Sequence, residues 1–210
     1  MRLYGTPPSH FTRKVRIVLQ ELGLPYEFVR FTDLLAVGPD NFAHNPLHHF
    51  PVLEHEGLRL IESDLICQYL IKTYGRGKEL SSLFPSAENE TRDGQTLAMI
   101  NGGMAAGVVL LRAQRSGLKN LDSVPFFQQE RAGLDGSQRW LEQDLAGRTT
   151  YYPGRFTYLD VALLCFLEWA AFREFLLPEK EIPGLVKFVR THESRASARA
   201  THPSKSEVTQ

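Results

Sequence analysis

In the first third of the chain, segments with the apolar spacing of β-strands alternate with segments that have the spacing of α-helices. The rest of the chain shows the helical spacing alone. Residues 2–5 form a short strand-like run, which the turn sequence at residues 5–8 breaks. Over residues 11–22 apolar side chains then recur at helical spacing until Gly23 ends the helix. A second strand is predicted at residues 26–30, so the chain begins with a βαβ unit whose strands are parallel.

A tight β-hairpin is predicted in the middle of the chain. Two apolar stretches, at residues 51–55 and 58–61, flank the turn dipeptide Glu56-Gly57. A helix is predicted directly after it, over residues 63–75. The order βαβ, irregular segment, hairpin and helix is that of a thioredoxin-like α/β domain.

The irregular segment before the hairpin spans residues 31–47 and shows no clear period. It contains a predicted turn at 38–41 and a short helical piece at 42–44, which Asn45-Pro46 ends.

The remainder of the chain is predicted to be helical. Helices are expected at residues 88–114, at 126–145, from 157 onward and at 183–192. Thr157 and Asp160 form a capping box, with Phe156 and Val161 in the positions of a hydrophobic staple. The predicted organisation is a first domain at residues 1–76, a linker at 77–87, an all-helical domain at 88–200 and a polar, frayed tail at 201–210.

Composition narrows the possible partners. The 24 Lys and Arg residues equal the 24 Asp and Glu residues, so no excess of basic charge points to nucleic acid. The two cysteines, Cys67 and Cys165, lie in separate apolar helical runs and are expected to be buried packing residues. No apolar signal core and no run of about 18 apolar residues is present, so a soluble, cytoplasmic protein without a membrane segment is expected.

The first candidate for chemistry is Ser9, at the start of the first helix. The unpaired backbone N–H groups and the dipole at a helix N-terminus favour an anion there, to which a hydroxyl can donate. Serine is also a common N-cap, so the residues alone leave open a purely structural role. The other side of this helix is polar, with Arg13, Lys14, Arg16 and Gln20.

The segment Ser-His-Phe-Thr-Arg-Lys-Val-Arg at residues 9–16, followed by Leu-Gly-Leu-Pro-Tyr-Glu at 22–27, resembles the start of a serine-using glutathione S-transferase. The resemblance implies a thioredoxin-like N-terminal domain plus an all-α C-terminal domain. It also implies that Ser9 donates a hydrogen bond to the glutathione thiolate. The proline that usually follows this serine is replaced by His10. Other branches use a tyrosine, and Tyr4 is the competing hydroxyl, although packing is its expected role.

The same resemblance implies two further contacts with glutathione. His48, His49, Phe50 and Pro51 resemble a segment that ends in a cis-proline, where the residue before proline pairs its backbone with the cysteinyl part of the tripeptide. Glu62 and Ser63 correspond to the pair that holds the γ-glutamyl ammonium and carboxylate. Without the resemblance, Pro51 reads as an ordinary strand-initiating proline, the histidines as solvated, and Ser63 as an N-cap.

The resemblance therefore implies a glutathione S-transferase that uses glutathione as co-substrate, needs no metal, and acts on a small, largely apolar electrophile as a homodimer. The candidate residues of the electrophile pocket are Pro8, His10, Asn101, Met104 and Val108. The Asn101-Gly102-Gly103 sequence would let a helix approach either the thiol or another helix. Two alternatives stay open: a non-catalytic binding or assembly protein, and a glutathione-dependent isomerase, dehalogenase or peroxidase.

Overall fold

The structure is a computed structural model, and it describes residues 1–31 and 41–207. Four strands form one mixed sheet in the order β2-β1-β3-β4. The strands are β1 (Arg2–Gly5), β2 (Glu27–Arg30), β3 (Val52–His55) and β4 (Leu58–Ile61). β1 pairs parallel to β2 and antiparallel to β3, and β3 pairs antiparallel to β4. With helices α1 (His10–Glu21) and α2 (Ser63–Tyr74), this is the predicted thioredoxin-like domain.

The turn of the hairpin follows from its two residues. Glu56 and Gly57 both have positive φ angles, 49° and 77°, which is the type I′ geometry that matches the twist of the two strands. The predicted hairpin is therefore confirmed. The predicted helical piece at 42–44 is a single 3₁₀ turn, Asn41–His44, but residues 42–44 are left-handed, with φ angles of 57°, 50° and 57°. The predicted turn at 38–41 lies outside the described residues, apart from Asn41.

The second part of the chain is helical, as predicted. Its helices are α3 (Glu90–Arg115), α4 (Pro125–Leu145), α5 (Tyr158–Phe172), α6 (Pro183–His192) and α7 (Ala196–Thr201). Short 3₁₀ turns occur at Ala87–Asn89, Leu121–Ser123 and Pro203–Glu207. The beginning of the expected polar tail is thus ordered, and Thr201 and Pro203 are buried.

Helix α5 is the centre of the helical domain. Every residue from 158 to 170 is buried. Its predicted capping box is present: the Thr157 side chain accepts from the Asp160 N–H, and the Asp160 carboxylate accepts from the Thr157 N–H at 2.7 Å. The same carboxylate accepts from the Tyr151 N–H at 2.9 Å, so it also holds the preceding loop. Phe156 and Val161 are both buried, as the staple requires.

One glycine of the pair in α3 allows close contact with two neighbouring helices. A Cβ atom on Gly103 would lie 2.2 Å from the Ser137 hydroxyl of α4 and 2.6 Å from the Phe166 ring of α5. A Cβ atom on Gly102 would meet nothing within 4 Å. Of the two explanations left open by the sequence, close helix packing is therefore the one that accounts for Gly103.

Among the described helices, the stretch Ala87–Arg115 is long and apolar enough to cross a membrane by length and composition, contrary to the expectation from the sequence. Half of its most apolar window is buried inside the fold, where α3 packs against α4 and α5. A core helix of a helical bundle has the same properties.

A buried ion pair of the first domain is bound by two side chains of the helical domain. The Lys14 ammonium on α1 donates to Asp64 Oδ1 at 2.5 Å and to Asn101 Oδ1 at 3.0 Å, and the Lys14 side chain is completely buried. Asn101 on α3 and Tyr158 on α5 also donate to the Asp64 carboxylate. Asp64 thus accepts from three side chains on three helices. One carboxylate in the first turn of α2 connects α1, α2, α3 and α5.

A second buried pair lies one residue away on α1. The Arg13 guanidinium contacts the Glu168 carboxylate of α5, with both side chains almost completely buried. Arg13 also donates to Thr201 Oγ1 and to the Ala198 carbonyl at 3.2 Å each. Two neighbouring cations of α1 therefore face the helical domain, so part of the polar side of this helix is an internal surface.

The two glycines of α3 predict opposite effects of the same substitution. Gly102→Ala adds a methyl group in open space and improves helix propensity, so the free energy of unfolding should rise by about 0.5–1 kcal/mol. Gly103→Ala must displace both Ser137 and Phe166 and should lower the same free energy by about 1–3 kcal/mol. Urea unfolding of both variants measures the difference, and two changes of the same sign would contradict this packing.

Asp64 predicts a pH-dependent contribution to stability. Burial raises the pKa of its carboxyl, but the charge of Lys14 and the hydrogen bonds from Lys14, Tyr158 and Asn101 outweigh this and hold the pKa below its ordinary value of 3.8. A carboxyl whose pKa is depressed on folding stabilises the fold above its unfolded-state pKa, and this contribution is lost as the pH falls through the folded-state pKa.

Asp64→Asn should therefore lower the free energy of unfolding by about 1–3 kcal/mol at pH 7. The difference from the parent protein should stay constant between about pH 5 and 8 and shrink below about pH 4. Urea titrations across this range measure it. Glu179→Gln, which removes an exposed pair with Arg190, is the control and should change stability by less than about 0.5 kcal/mol. A difference that does not depend on pH would reject the ionic role of Asp64.

Candidate functional site

A cavity of about 910 Å³ lies between the two domains. The first domain contributes the start of α1, the segment before β3 and the start of α2. The helical domain contributes the last three turns of α3 and the end of α5. A cavity of this size, bounded by two domains, is a typical place for a small-molecule site.

Ser9 lines this cavity at the N-terminus of α1. Its Oγ accepts a hydrogen bond from the Thr12 N–H at 3.2 Å, so it is the N-cap of the helix. Accepting that bond leaves the hydroxyl proton available for a ligand, and within the described residues no acceptor takes it. Ser9 is therefore both a cap and a free donor, and the two roles that the sequence left open are compatible.

The segment before β3 lines the cavity through His49 and Phe50. The Phe50–Pro51 peptide bond is cis. In the described part of the chain, the N–H and C=O of Phe50 pair with no other backbone group. The Phe50 ring is held by contacts with Phe31 and Phe42, at 4.9 and 4.8 Å between ring centroids. This edge can therefore pair with an extended peptide, in the manner of an added strand.

Glu62 and Ser63 line the cavity at the start of α2. Glu62 has a φ of 67°, a region that costs a residue with a side chain of the order of 1–3 kcal/mol and that is often found at functional sites. Its carboxylate is exposed and does not cap the helix. Ser63 is 5% exposed, and the N–H groups of the first turn of α2 have no partner within the helix. The arrangement offers an acceptor for a cation directly beside donors for an anion.

Three of the five predicted pocket residues line the cavity: Pro8, His10 and Val108. Met104 is completely buried in the core, and Asn101 is bound to Lys14 and Asp64, so neither lies on the cavity wall. These two positions are corrections to the predicted pocket: the α3 lining begins at Ala105, whereas Met104 lies on the face that packs in the core and Asn101 is directed to the buried ion pair.

Two predicted glutathione residues also lie behind the wall. His48 stacks on Phe42, at 5.5 Å between ring centroids, and Pro51 is buried directly before β3. Tyr4, the competing hydroxyl, donates to Glu54 at 2.7 Å on the sheet and is not part of the lining. The structure therefore brings Ser9, and not Tyr4, to the cavity.

His10 occupies a buried part of the wall. Its ring packs against Trp169 and Phe11, at 4.1 and 4.3 Å between ring centroids. Neither ring nitrogen has a hydrogen-bond partner in the described residues. Burial, together with the positive charges of Lys14 and Arg173, lowers the pKa of the imidazole well below its usual value. His10 is thus a neutral ring at neutral pH, and it gives this wall a mostly apolar character.

Sequence reasoning missed the aromatic and basic parts of the wall. Phe11 and Trp169 line the cavity, as do three arginines, Arg112, Arg115 and Arg173. The spacing of Val108, Arg112 and Arg115 places them on one helix face, which was a usable signal. The arginines themselves read as ordinary basic residues at helix ends. Trp169 was indistinguishable from its buried neighbours in α5.

Among the described residues, no group of three or more His, Cys, Asp and Glu side chains could hold a metal ion. Cys67 and Cys165 are free and buried, and burial raises the pKa of both thiols, that of Cys165 to about 12. The polar groups of the cavity are hydroxyl, carboxylate, imidazole and guanidinium, together with free backbone groups. They are suited to bind a peptide-like ligand.

The chain matches two family models. One is described as glutathione S-transferase, N-terminal domain, and covers residues 3–79; the other is glutathione S-transferase, C-terminal domain, and covers residues 125–191. Glutathione S-transferase U19 of Arabidopsis thaliana is 25% identical over 210 residues, which span 97% of this chain and 90% of that relative.

Solved structures show the same fold over the whole chain. A glutathione S-transferase of Methylobacterium radiotolerans JCM 2831, in complex with glutathione sulfonate, is 26% identical with a TM-score of 0.80, covering 96% of this chain and 94% of that one. A glutathione S-transferase of Methylobacillus flagellatus KT with GSH bound has a TM-score of 0.82 at 24% identity. The match covers 96% of this chain and 98% of that one. Two family models that together span more than half of the chain, and a fold shared from end to end, show that this protein belongs to the glutathione S-transferase superfamily.

Proposed function

We propose that the protein binds glutathione in the cavity between its domains and uses Ser9 to stabilise the thiolate for attack on a small electrophile with a largely apolar body. The observation that carries this proposal is the convergence of Ser9, Phe50, Glu62 and Ser63 on one cavity. These residues come from three separate segments of the first domain. Relatives named glutathione S-transferase, one of them solved with glutathione sulfonate, support the choice of ligand.

Each part of glutathione has a matching group in the cavity. The cysteinyl backbone pairs with the free N–H and C=O of Phe50. The γ-glutamyl ammonium donates to the Glu62 carboxylate, while Ser63 and the N–H groups at the start of α2 donate to the γ-glutamyl carboxylate. His49, the exposed histidine of the lining, is the residue available to the glycine carboxylate. The thiol then lies toward Ser9.

Ser9 and its helix are sufficient to ionise the thiol near neutral pH. An ordinary thiol has a pKa of about 8.5, and lowering it to about 6.5 requires roughly 2.7 kcal/mol in favour of the thiolate. A hydrogen bond to a charged group contributes about 1.5–3 kcal/mol, and a helix N-terminus about 0.3–1 kcal/mol. No general base is required: the thiol proton goes to solvent, and the Ser9 hydroxyl donates to the sulfur.

The reaction is then a nucleophilic attack by the glutathione thiolate on the electrophile, next to a mostly apolar wall of the cavity. The sulfur forms a bond to the electrophilic carbon, and the leaving group departs with its electron pair, or the electrons move into an activated double bond. His10, Phe11, Val108 and Trp169 exclude water on one side, which strengthens the interaction between Ser9 and the thiolate. A non-catalytic binding protein would share the glutathione contacts but would not lower the pKa of the thiol.

We also propose a homodimer in the cytoplasm. The exposed leucines of the first domain, Leu47, Leu58 and Leu65, are the candidates for its contact surface. The two free, buried cysteines are compatible with a reducing compartment.

Ser9→Ala tests the thiolate role. The pKa of the bound glutathione thiol should rise by about 1–2 units toward its free value, while the affinity for glutathione stays within about threefold. The ultraviolet absorbance of the thiolate, titrated in the complex, measures the pKa, and calorimetry measures the affinity. Ser9→Thr is the control, because it retains a hydroxyl and an N-cap. An unchanged thiol titration in Ser9→Ala would remove Ser9 from the mechanism.

Glu62→Ala tests the γ-glutamyl contact. Loss of a hydrogen-bonded charge partner should weaken glutathione binding by about 10–100-fold, measured by calorimetry. Glu56→Ala is a matched control: Glu56 is also an exposed glutamate with a positive φ, 49°, but it lies in the hairpin turn outside the cavity. Equal affinities of Glu62→Ala and Glu56→Ala would reject the contact.

A further inference from the structure

The wall that faces away from the glutathione segments is strongly basic. Arg112 and Arg115 at the end of α3, and Arg173 just after α5, line the cavity, while Glu62 is the one acidic residue in its lining among the described residues. The whole chain has no net charge. Three guanidinium groups at one cavity are therefore a local concentration of positive charge and not a property of the surface as a whole.

The helix ends do not account for this charge. Arg112 and Arg115 lie in the last turn of α3, and Arg173 is the C-cap of α5, so each can complement a helix dipole. Each helix end carries only about half a negative charge. The C=O of Arg112 already accepts from the Ser116 N–H at 2.9 Å, and that of Trp169 from the Arg173 N–H at 3.0 Å. Two helix ends offset about one of the three positive charges.

Protein carboxylates do not neutralise the two arginines of α3 either. Both side chains are exposed, and within the described residues neither forms an ion pair or a side-chain hydrogen bond. Other exposed arginines do form such pairs: Arg139 donates to Glu181 and Arg190 to Glu179. Arg112 and Arg115 therefore present free donors at the mouth of the cavity.

Glutathione itself does not reach this wall in the proposed arrangement. Its carboxylates lie at the start of α2 and beside His49, both in the first domain. The arginines project from α3 and α5, next to the apolar residues Val108, Leu111 and Trp169. The co-substrate half of the cavity thus consists of an apolar and aromatic surface with guanidinium groups at its edge.

We propose that the electrophilic co-substrate carries a carboxylate on an apolar or aromatic body, and that Arg112 and Arg115 select for it. This inference rests on the proposed function. The planar guanidinium fork binds a carboxylate through two parallel hydrogen bonds, and the body of the molecule packs on His10 and Trp169. Arg112 and Arg115 are specificity residues: they hold the end of the co-substrate remote from the sulfur and take no part in bond formation.

The test compares two glutathione conjugates that differ in one group. They are the conjugate of a chloronitrobenzoate and that of the corresponding chloronitrobenzamide. Each forms when the glutathione sulfur attacks the ring carbon that bears chlorine, so that a C–S bond forms and chloride leaves with the bonding electrons. The two products differ only in a carboxylate against a neutral amide. Their affinities for the full-length protein are measured by calorimetry, together with that of glutathione itself.

Two double variants distinguish the effect of positive charge at the cavity from the effect of the overall charge of the protein. Arg112→Gln/Arg115→Gln removes two positive charges at the cavity. Arg76→Gln/Arg155→Gln removes two exposed arginines that do not line it, and serves as the control of equal charge. The parent protein and the control should bind the carboxylate conjugate about tenfold more tightly than the amide conjugate. The cavity variant should lose this preference and bind the amide conjugate within about twofold of the parent.

Two further readouts follow from the same chemistry. Raising the ionic strength from about 0.05 to 0.5 M should reduce the preference of the parent protein, because exposed charges are screened. In turnover of the chloronitrobenzoate, the cavity variant should show a KM about tenfold higher and a kcat within about threefold, since the arginines bind the remote end of the molecule.

Equal binding of the two conjugates by the parent protein would overturn the inference, as would a preference that survives in the cavity variant. Failure of the proposed function gives a different result: glutathione and both conjugates would all fail to bind, and the inference would fail with it. Binding of glutathione and of both conjugates without a preference rejects the carboxylate alone and leaves the transferase proposal intact.

Discussion

The buried Lys14–Asp64 pair is the interaction on which the position of the site depends. An ammonium group with no exposed surface cannot remain charged without partners, because the desolvation of an unpaired ion costs several kcal/mol. Lys14 has two partners, Asp64 and Asn101, and they come from both domains. Asp64 directly follows Ser63, and Lys14 lies five residues after Ser9. The contact that satisfies a buried charge therefore also fixes the helix starts that carry the proposed glutathione contacts.

The same constraint explains why the polar side of α1 is internal. Arg13 and Lys14 are adjacent, both are completely buried, and each meets a carboxylate, Glu168 or Asp64. Two buried pairs contribute little net stability compared with apolar packing, but the loss of one partner from either is strongly destabilising. The Arg13–Glu168 pair crosses between the domains, and Asn101 and Tyr158 of the helical domain bind the Lys14–Asp64 pair. The two buried cations thus hold the domains together at neighbouring points beside the cavity.

Local signals in the sequence were sufficient for much of the fold. The Glu56-Gly57 turn and the Thr157–Asp160 box each depend on a few neighbouring residues, and both form as predicted. Burial of Lys14 depends on Asn101, 87 residues away, and no local pattern encodes such a contact. The same limit applies to Met104, because α3 is apolar on several sides and only the packed bundle decides which of them meets the cavity.

The two halves of the cavity are built from different groups: one largely from the backbone, the other from side chains. The proposed glutathione half relies largely on backbone groups, at Phe50 and at the helix starts beside Ser9 and Ser63, so the fold itself provides it. The opposite half is made of side chains, and its charged members at the end of α3 are exposed and carry no structural contact in the described residues. Replacing an exposed side chain usually changes stability by less than about 0.5 kcal/mol. The charge of the proposed co-substrate wall can therefore change without disturbing the proposed glutathione site, so the proposed selectivity for an electrophile can vary independently of glutathione binding.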